Sequence, residues 1–553
     1  MIYSADFETT TDKEDCRVWA WALCEVGNVD NFRYGNCIDS LFEWMQKQER
    51  LTLYFHNLKF DGEFILYWLF HHNFAFVRNR KELVDRSFTT LIGDMGQFYS
   101  ITIIFDKKNK KRVTIYDSLK ILPMSVDQMA KAFGLPINKL HIDYDEKREI
   151  GHELTQEEKD YIKNDVAIVA MAIEHLFSEN LKKMTTGSNA MADYKKIIGK
   201  KNFERWFPPP SYDKDLRQSY KGGFTYLNPK FAGLDIPEGI VLDVNSLYPS
   251  VMYDRPLPYG EGMFYNGEYK QDDYFNLYVQ MFRCSFEVKE NHIPTIQLKN
   301  NLSFVPTEYV RSSKGEVITL CLTSVDLKLF FQHYNVENVE YLCGWKFRST
   351  GTLFKDYIDK WNGVKVKATE EGNKGLRQIA KLMLNSLYGK FATNPIRRSK
   401  FPYLGEDDII HYELGPEEEG KPVYLPVGVF ITAWARYKTI TSAQKVYDRF
   451  LYADTDSLHL IGTDIPSELE IHPTKLGAWK HESTFSRARF LRQKTYIEEI
   501  EGELKITCAG MPSSCHPYVT WENFHDGMSY PGKLKQAHTK GGVVLIESPH
   551  TLK

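Results

Sequence analysis

Short apolar runs alternate with a helical pattern over residues 1–183. The runs MIYSADFE, LTLYFHN, FYSITIIF and RVTIYDSL are rich in β-branched and aromatic residues and have the length of strands. The stretch ELTQEEKDYIKNDVAIVAMAIEHLF has helical periodicity instead, and Thr155 and Glu158 stand at capping-box spacing near its start. Strands that alternate with helices predict an α/β layer domain here.

The rest of the chain predicts a mixed α+β organisation. A proline-rich connector, WFPPPSYDKD, precedes IVLDVNSLYPSVMY, which predicts a strand that breaks into a turn or helix at Pro249. Several short strand-like runs fill residues 256–353, and a helical block starts near residue 354. A hairpin candidate, GEDDIIHYELGPEEEGKPVYLP, separates that block from the strand-like run LYADTDSLHL.

Composition bounds the class of protein. The chain has 553 residues, 42% of them hydrophobic and 26% charged, which is typical of a packed globular protein. With 70 basic and 73 acidic residues, its charge neither indicates nor excludes a nucleic-acid partner. Eight scattered cysteines without a CxxC pair argue against a structural zinc site. No apolar run is long enough to span a membrane and no phosphate loop is present, so we expect a soluble protein that is not an ATP-driven motor.

Two acids interrupt the last strand-like run. Asp454 and Asp456 are two positions apart, so on a strand both carboxylates would point to one face and repel. Asp243 ends another apolar run, VLDVNSLYP. Acids at the tips of two strands predict a site for a pair of Mg²⁺ ions, which prefer oxygen ligands. The alternative interpretation is a polar turn at DTDS.

The predicted helix RQIAKLMLNSLYG carries a polar stripe. Arg377, Lys381, Asn385 and Tyr388 are spaced by four, four and three positions, which places them on one face. Two cations, an amide and a phenol suit the phosphates and base of a nucleoside triphosphate. An ordinary solvated helix face is the alternative.

A second set of acids lies near the N-terminus: Asp6, Glu8, Asp61 and Asp165. Asp6 and Glu8 share a strand face, and Tyr161 precedes Asp165 by one helical turn. Four acids with a tyrosine suit a two-metal hydrolase in which the tyrosine orients the attacking water. Taken singly, each acid also fits a surface or capping role.

Six motifs in order resemble those of one family. DFETT, HNLKFDG and YIKND are similar to the three exonuclease motifs of proofreading DNA polymerases. DVNSLYP, KLMLNSLYG and YADTDS are similar to motifs A, B and C of family B polymerases. With YKGGF, TAWAR and KTY, they most resemble the protein-primed family B DNA polymerases of the phi-twenty-nine-type Bacillus phages. The resemblance extends over essentially the whole chain.

The resemblance implies an α/β and α+β multidomain fold. An N-terminal ribonuclease H-like exonuclease domain would precede a right-hand polymerase with two insertions. The implied parts are the exonuclease domain (1–183), the palm (184–255 and 426–508), an insertion that docks the priming protein (256–353), the fingers (354–391), an insertion that closes around template and product (392–425) and the thumb (509–553).

The resemblance also implies a role for individual residues of the polymerase. Tyr248 would pack under the incoming sugar and exclude a 2′-hydroxyl. The implied metal site comprises Asp243, the Val244 carbonyl, Asp454 and Asp456. The implied nucleotide site comprises Tyr248, Lys365, Lys381, Asn385 and Tyr388. The implied DNA contacts are Tyr220, Gly222, Gly223, Arg436, Lys494 and Tyr496. Of these, Lys494 and Tyr496 would hold the primer strand, and Tyr220 with the two glycines would help to pass it between the active sites.

In the implied exonuclease site, Tyr161 and the four N-terminal acids would be catalytic, and the acids would bind metals. A second group would grip the frayed 3′ end: Thr9, His56, Asn57, Phe60, Ser118 and Leu119. Lys139 is a further residue that the resemblance assigns to this site.

The function implied is a DNA-templated DNA polymerase with a 3′–5′ proofreading exonuclease. Each active site would use two Mg²⁺ ions, with Mn²⁺ as a substitute. Primer–template DNA, single-stranded DNA, deoxynucleoside triphosphates and a terminal priming protein would be the partners. Closure around the DNA implies high processivity and strand displacement during replication of a linear phage genome. We expect a monomer in the polymerising state, in the cytoplasm of the bacterial host and without a membrane partner.

Three other functions stay open at this point. One is a nuclease whose C-terminal two-thirds only bind nucleic acid. Another is a reverse transcriptase, because YADTD resembles the Tyr-x-Asp-Asp hairpin of those enzymes. The third is a non-catalytic scaffold, which would leave both acid sets without a purpose.

Overall fold

A mixed eight-stranded sheet organises the N-terminal part of the protein. The computed structural model describes residues 1–297 and 309–553, so residues 298–308 of the predicted insertion lie outside the described residues. The strands are β1 Ile2–Thr9, β2 Val18–Glu25, β3 Asn28–Gly35, β4 Leu51–Phe55, β5 Ala75–Phe76, β6 Ser87–Ile92, β7 Phe98–Asp106 and β8 Lys111–Asp117. Their order is β3-β2-β1-β4-β8-β7-β6-β5. β1, β4 and β8 run parallel, so their C-terminal ends meet at one edge.

Helices cover both faces of this sheet, which confirms the predicted α/β layers. They are α1 Ile38–Met45, α2 Leu58–His71, α3 Val126–Phe133 and α4 Gln156–Ser178. The predicted capping box of α4 is confirmed, because the Thr155 hydroxyl accepts from the Glu158 N–H and the Glu158 carboxylate accepts from the Thr155 N–H. This cap fixes where α4 begins and therefore how its later turns face β1.

A five-stranded antiparallel sheet forms the centre of the second part. Its members are drawn from distant stretches of chain: β9 Thr225–Leu227, β11 Gly239–Val244, β22 Phe450–Asp454, β23 Ser457–Ile461 and β24 Trp479–Phe485, in the order β24-β11-β23-β22-β9. The short strand β10 Asp235–Ile236 instead joins β25 Arg487–Arg492, β26 Thr495–Ile500 and β27 Glu503–Cys508 in a neighbouring sheet.

The connection after β11 differs from the prediction. The chain turns at Asn245 and Ser246, where Ser246 has φ +54°, and α8 Leu247–Asp254 follows at once. Pro249 lies inside the first turn of α8 rather than at the break. A proline is tolerated there because its missing N–H has no partner within the helix.

Helices pack around the central sheet. They are α5 Thr186–Ile198, α6 Lys200–Trp206, α7 Asp213–Arg217, α10 Lys355–Glu370, α11 Lys374–Ser386, α12 Tyr388–Phe391 and the long α13 Leu425–Lys445. The predicted helical block from residue 354 is confirmed as α10 and α11. Ile379, Met383 and Leu384 of α11 are buried, so its polar stripe faces outward.

The strands of the 256–353 region are longer than predicted. β12 Leu257–Asn266, β13 Leu277–Val288 and β17 Tyr334–Thr350 have 10, 12 and 17 residues. With β16 Ile318–Thr323 they form the sheet β12-β17-β13-β16, against which α9 Ser324–His333 packs. The elements β14 Ile296–Gln297 and β15 Tyr309–Val310 make a separate two-stranded pair. Register shifts within β13 and β17 interrupt the polar–apolar alternation, which hides their length in the sequence.

Two hairpins from the second part reach back to the N-terminal domain. The predicted hairpin is confirmed by β19 Lys400–Leu404 and β20 Ile410–Leu414, beside the pair β18 Ile396–Arg397 and β21 Glu418–Glu419. Near the C-terminus, β29 Leu534–Thr539 pairs with β30 Gly542–Glu547, and β28 Ser529–Tyr530 pairs with β31 His550–Thr551. Val543 and Val544 of β30 are buried in the core that α2 shares with the N-terminal sheet. In the described part of the chain, no helix is both long and apolar enough to cross a bilayer.

Candidate active sites

The N-terminal acids converge at the edge where β1 ends. Phe7 packs on Phe55 in the core beneath α2, so its neighbours Asp6 and Glu8 point to the opposite face, toward α4. One oxygen from each of Asp6, Glu8 and Asp165 can be chosen so that all three lie within 4.8 Å of one another. The strand face and the helix position predicted for these acids are therefore confirmed.

These carboxyl groups repel one another in a buried setting. Burial, together with the charge of Asp165, raises the pKa of Asp6 to about 7. Burial and neighbouring acids also raise the pKa values of Glu8, which is 8% exposed, and of Asp61, which is 4% exposed. Asp165 Oδ1 is buried and has no hydrogen-bond partner among the described residues. Crowded acids with an unpaired oxygen fit a divalent cation.

A lysine and two tyrosines complete this cluster. Lys139 Nζ donates to Asp165 Oδ2 and lies 3.4 Å from the Tyr161 hydroxyl. Tyr161 is one helical turn before Asp165 on α4, as predicted, and its hydroxyl is hydrogen-bonded to that of Tyr144. The sequence gives no motif for Tyr144, which comes from the irregular segment between α3 and α4.

The residues predicted to grip a 3′ end lie at the ends of β1, β4 and β8 and at the start of α2. The His56 ring donates from Nε2 to the Met124 carbonyl and lies 3.0 Å from the Ser118 hydroxyl. Burial lowers the pKa of His56, so its ring is neutral at pH 7. The buried Asp117, which the sequence analysis missed, accepts from the backbone N–H groups of both Asn57 and Leu119. Ser118 is the buried member of the group, and the other five residues are partly or fully exposed.

Asp454 and Asp456 do not share a strand face. Asp454 ends β22, whereas Thr455 and Asp456 form a two-residue turn before β23, and Thr455 has φ +58°. The turn at DTDS, which was the alternative interpretation, is confirmed, and the face-sharing prediction is wrong. Lys494 Nζ lies 2.7 and 2.8 Å from the two Asp454 oxygens, so a lysine neutralises this acid.

Asp456 faces Asp243 instead. β11 and β23 are paired, and the Val244 N–H donates to the Asp456 carbonyl over 2.8 Å. Burial and the charge of Asp456 raise the pKa of Asp243 to about 6. Burial raises the pKa of Asp456 as well. Glu482 on β24, a residue that the sequence analysis missed, adds a third negative charge near both acids.

The predicted nucleotide residues gather beside these acids. The rings of Tyr248 on α8 and Tyr388 on α12 are stacked, with centroids 4.1 Å apart and planes at 17°. Lys381 and Asn385 are exposed on α11. Burial and the charges of Lys381 and Arg377 lower the pKa of Lys365, so these three cations lie close together. A flat aromatic platform beside a cluster of cations fits a nucleoside triphosphate.

The KTY segment is anchored beneath the turn formed by Thr455 and Asp456. The Lys494 N–H donates to the Tyr452 hydroxyl, which lies 3.4 Å from Asp454 Oδ2. Tyr496 is 9% exposed and its ring stacks on Phe490. Tyr496 therefore supports the position of Lys494 from the core, while the Lys494 side chain is half exposed.

Arg436 lies in the interior rather than at a DNA surface. It is 3% exposed, and its guanidinium donates to Asp326 and to the carbonyls of Lys221 and Gly222. The contact with DNA implied for Arg436 does not fit this geometry. Arg436 instead holds the 220–223 segment in place, and Tyr220 of that segment packs close to Tyr388.

Comparison with known proteins agrees with this arrangement. Residues 44–153 and 141–471 match the model of the family "DNA polymerase type B, organellar and viral". The chain belongs to this family. It is 49% identical to the DNA polymerase of Bacillus phage M2 and 47% identical to that of Bacillus phage phi29, in both cases over 100% of this chain and 99% of the relative.

The fold also agrees with that of a solved member of this family. The structure of phi29 DNA polymerase complexed with primer–template DNA superposes with a TM-score of 0.94 at 46% identity, covering 100% of both chains. The predicted fold class of this DNA polymerase, an N-terminal ribonuclease H-like domain followed by a right-hand polymerase, is thereby confirmed. The residue boundaries of its parts stay predictions.

Gly223 of this polymerase packs against the turn formed by Thr455 and Asp456. A Cβ at Gly223 would lie 2.5 Å from Thr455 Oγ1 and 2.7 Å from its Cγ2, whereas one at Gly222 would meet no described atom within 4 Å. The same turn is held by hydrogen bonds from the Thr455 N–H to the Phe224 carbonyl and from the Thr439 hydroxyl to the Thr455 carbonyl.

We therefore expect Gly223→Ala to displace the turn between Asp454 and Asp456. Overpacking of this kind destabilises a fold by about 1–3 kcal/mol. Primer extension should fall several-fold more in Gly223→Ala than in the matched control Gly222→Ala, with urea unfolding measured on both. Equal extension rates for the two variants would contradict the close packing on Thr455.

Proposed function

We propose that this polymerase also trims 3′ ends, uses two divalent cations in each active site, starts from a terminal protein and displaces the strand ahead of it. The observation that carries the proposal is the presence of two separate carboxylate clusters. One is centred on Asp6, Glu8 and Asp165, and the other on Asp243 and Asp456. Each has crowded acids whose pKa values are raised first by burial and then by neighbouring carboxylates.

In the polymerase site, Asp243 and Asp456 would hold Mg²⁺, with the Val244 carbonyl as a further ligand and Mn²⁺ as a substitute. When bound, the ions supply activation of the primer hydroxyl and stabilisation of the leaving oxygen. The protein's own groups position the reactants. Lys365 and Lys381 bind the triphosphate, and the stacked Tyr248 and Tyr388 form a wall that excludes a 2′-hydroxyl.

Asp454 has a different task because Lys494 neutralises it. The ion pair fixes the Lys494 ammonium above the sheet edge, where it can contact the primer strand. Asp454 also accepts from the Thr225 hydroxyl over 3.0 Å, which ties the end of β22 to β9. We therefore propose Asp454 as a positioning residue and Asp243 and Asp456 as the principal ligands.

In the exonuclease site, the divalent cations would be held by Asp6, Glu8, Asp61 and Asp165 and would supply an activated water. The Tyr161 hydroxyl, between Lys139 and Tyr144, orients that water by hydrogen bonding. His56 and Ser118 fix the neighbouring loop, so that Asn57, Phe60 and Leu119 can hold the unpaired end of the primer.

The proposed partners follow from the relatives. Structures of phi29 DNA polymerase have been solved with primer–template DNA, with single-stranded DNA and with incoming nucleotides. We propose the same ligands for this chain. A terminal protein would dock on the 256–353 insertion and supply the priming hydroxyl, and the monomeric enzyme would act in the cytoplasm of a bacterial host.

Closure around the DNA would depend on a junction of three segments at α2. Glu63 of α2 is 2% exposed and accepts a 2.7 Å hydrogen bond from Tyr412 of the β19–β20 hairpin. His538 of β29 faces the other Glu63 oxygen, with its Nδ1 3.6 Å away. Asp408 of the same hairpin accepts from Tyr67 and contacts His71. Two projections of the polymerase part thus meet on one helix, which supports strand displacement and high processivity.

Substitution of Asp456 tests the polymerase site. We expect Asp456→Asn to lower primer extension by about 100-fold or more, since the loss even of outer-shell partners weakens metal sites by roughly 10–100-fold. Degradation of a single-stranded primer should persist. A 5′-labelled primer on a longer DNA template measures both, and the exposed Asp464→Asn is the matched control. Near-normal extension would exclude Asp456 as a ligand and favour the nuclease interpretation.

Removal of the N-terminal acids tests the exonuclease. The double change Asp6→Ala and Glu8→Ala removes two of the proposed ligands, so we expect trimming of a mismatched 3′ end to fall by at least about 100-fold. Extension of a matched primer should stay within about twofold of normal, because the acids of the polymerase site, Asp243 and Asp456, belong to another sheet. Undiminished trimming would place the nuclease site elsewhere.

Tyr412 tests the closure. Tyr412→Phe removes the hydroxyl that pairs with the buried Glu63 carboxylate, a loss of about 1–3 kcal/mol. We expect shorter products from a single binding event on a long duplex template, with unchanged extension by a few nucleotides on a short open one. Tyr403→Phe, an exposed position on the same hairpin, is the control. Products of equal length from both variants would refute a role for the junction in processivity.

A further inference from the structure

Lys480 is a cation in the polymerase site that no sequence motif marks. It lies on β24, directly opposite Asp243 of β11 in the antiparallel register. Its Nζ is 3.2 Å from Glu482 Oε2 and 3.8 Å from Asp243 Oδ2. The Lys480 side chain is 36% exposed, so its ammonium group is both close to the acids and open to a ligand.

Lys480 also lies beside the cations of the nucleotide site. Burial, and then the charges of neighbouring cations that include Lys480, lower the pKa values of Lys365 and Lys381. Lys365 on α10, Arg377 and Lys381 on α11 and Lys480 on β24 thus add positive charge to the same part of the protein. Positive charges that act on one another attract an anion with several negative charges.

We propose that Lys480 is a further binding residue for the phosphate groups of the incoming deoxynucleoside triphosphate. This inference rests on the proposed nucleotide site and adds a residue to it. In the nucleotide-free enzyme, Lys480 is the counter-ion of Glu482 and Asp243. Partly exposed ion pairs of this kind are weak, so the ammonium can leave the carboxylates for a triphosphate. A lysine binds phosphate as a compact point charge on a flexible stem, which suits such an exchange.

The exchange has a second consequence at Asp243. The Lys480 ammonium and a divalent cation compete for the same carboxylate, so removal of the ammonium should strengthen binding of the cation while it weakens binding of the nucleotide. Substitution of a residue that only packs against its neighbours would not raise the affinity for the cation while lowering the affinity for the nucleotide.

Equilibrium binding separates these possibilities without turnover. The full-length protein is bound to a primer–template whose primer lacks a 3′-hydroxyl, and the dissociation constant of the next correct deoxynucleoside triphosphate is measured. We expect Lys480→Met to weaken this binding by about tenfold and Lys480→Arg to stay within about twofold of normal. Lys505→Met, an exposed lysine on β27, is the matched control, and thermal unfolding of each variant confirms folding. Titration of the DNA-free protein with Mn²⁺, followed by electron paramagnetic resonance, should show tighter binding in Lys480→Met.

Lys381→Met serves as a reference in the same experiment. If Lys381→Met weakens nucleotide binding and Lys480→Met does not, the inference for Lys480 is overturned and the nucleotide site stands. If neither variant has an effect, the proposed nucleotide site itself is wrong. Equal weakening by Lys480→Met and Lys480→Arg would overturn the charge-based role, and Mn²⁺ binding unchanged in Lys480→Met would overturn the competition at Asp243.

Discussion

Repulsion between crowded carboxylates is the constraint around which both sites of this polymerase are built. Asp6, Glu8 and Asp165 meet at one edge of the N-terminal sheet, and Asp243 and Asp456 meet at one edge of the central sheet. Burial raises the pKa of each of these acids, which means that folding works against their ionised forms. Crowded like charges of this kind cost free energy, so the surrounding backbone must hold them firmly in place.

Three lysines from separate elements offset part of this charge, one at the N-terminal site and two at the polymerase site. Lys139 contacts Asp165, Lys494 contacts Asp454, and Lys480 lies near Asp243 and Glu482. A lysine supplies one positive charge without filling the space between the remaining acids. Each lysine therefore offsets part of the charge of its own cluster, while Asp165 Oδ1 has no hydrogen-bond partner among the described residues.

The backbone near these acids is correspondingly constrained. Thr455 adopts a left-handed conformation that is unfavourable for a β-branched residue, and it is held by Phe224, Thr439 and the close approach of Gly223. The 220–223 segment is in turn held by Arg436 and Asp326 from beneath. At the other site, Asp61 lies on the same helix that receives both polymerase hairpins through Glu63. The helix that carries Asp61 therefore also anchors the two hairpins of the polymerase part.

The sequence by itself determined which residue types are present and where local patterns repeat. The N-terminal strands, the capping box at Thr155 and the stripe on α11 follow from periodicity and local hydrogen bonding, and six ordered motifs identify the family. Tertiary structure alone decided which partner each acid has. Asp454 and Asp456 look like one strand face in the sequence, but Asp456 belongs to the turn that follows Asp454. Only the approach of Lys494, from the turn between β25 and β26, and of Asp243, from β11, assigns each acid its partner. Glu482, Lys480 and Tyr144 carry no local signal because their position depends on strand pairing and loop packing over long chain separations.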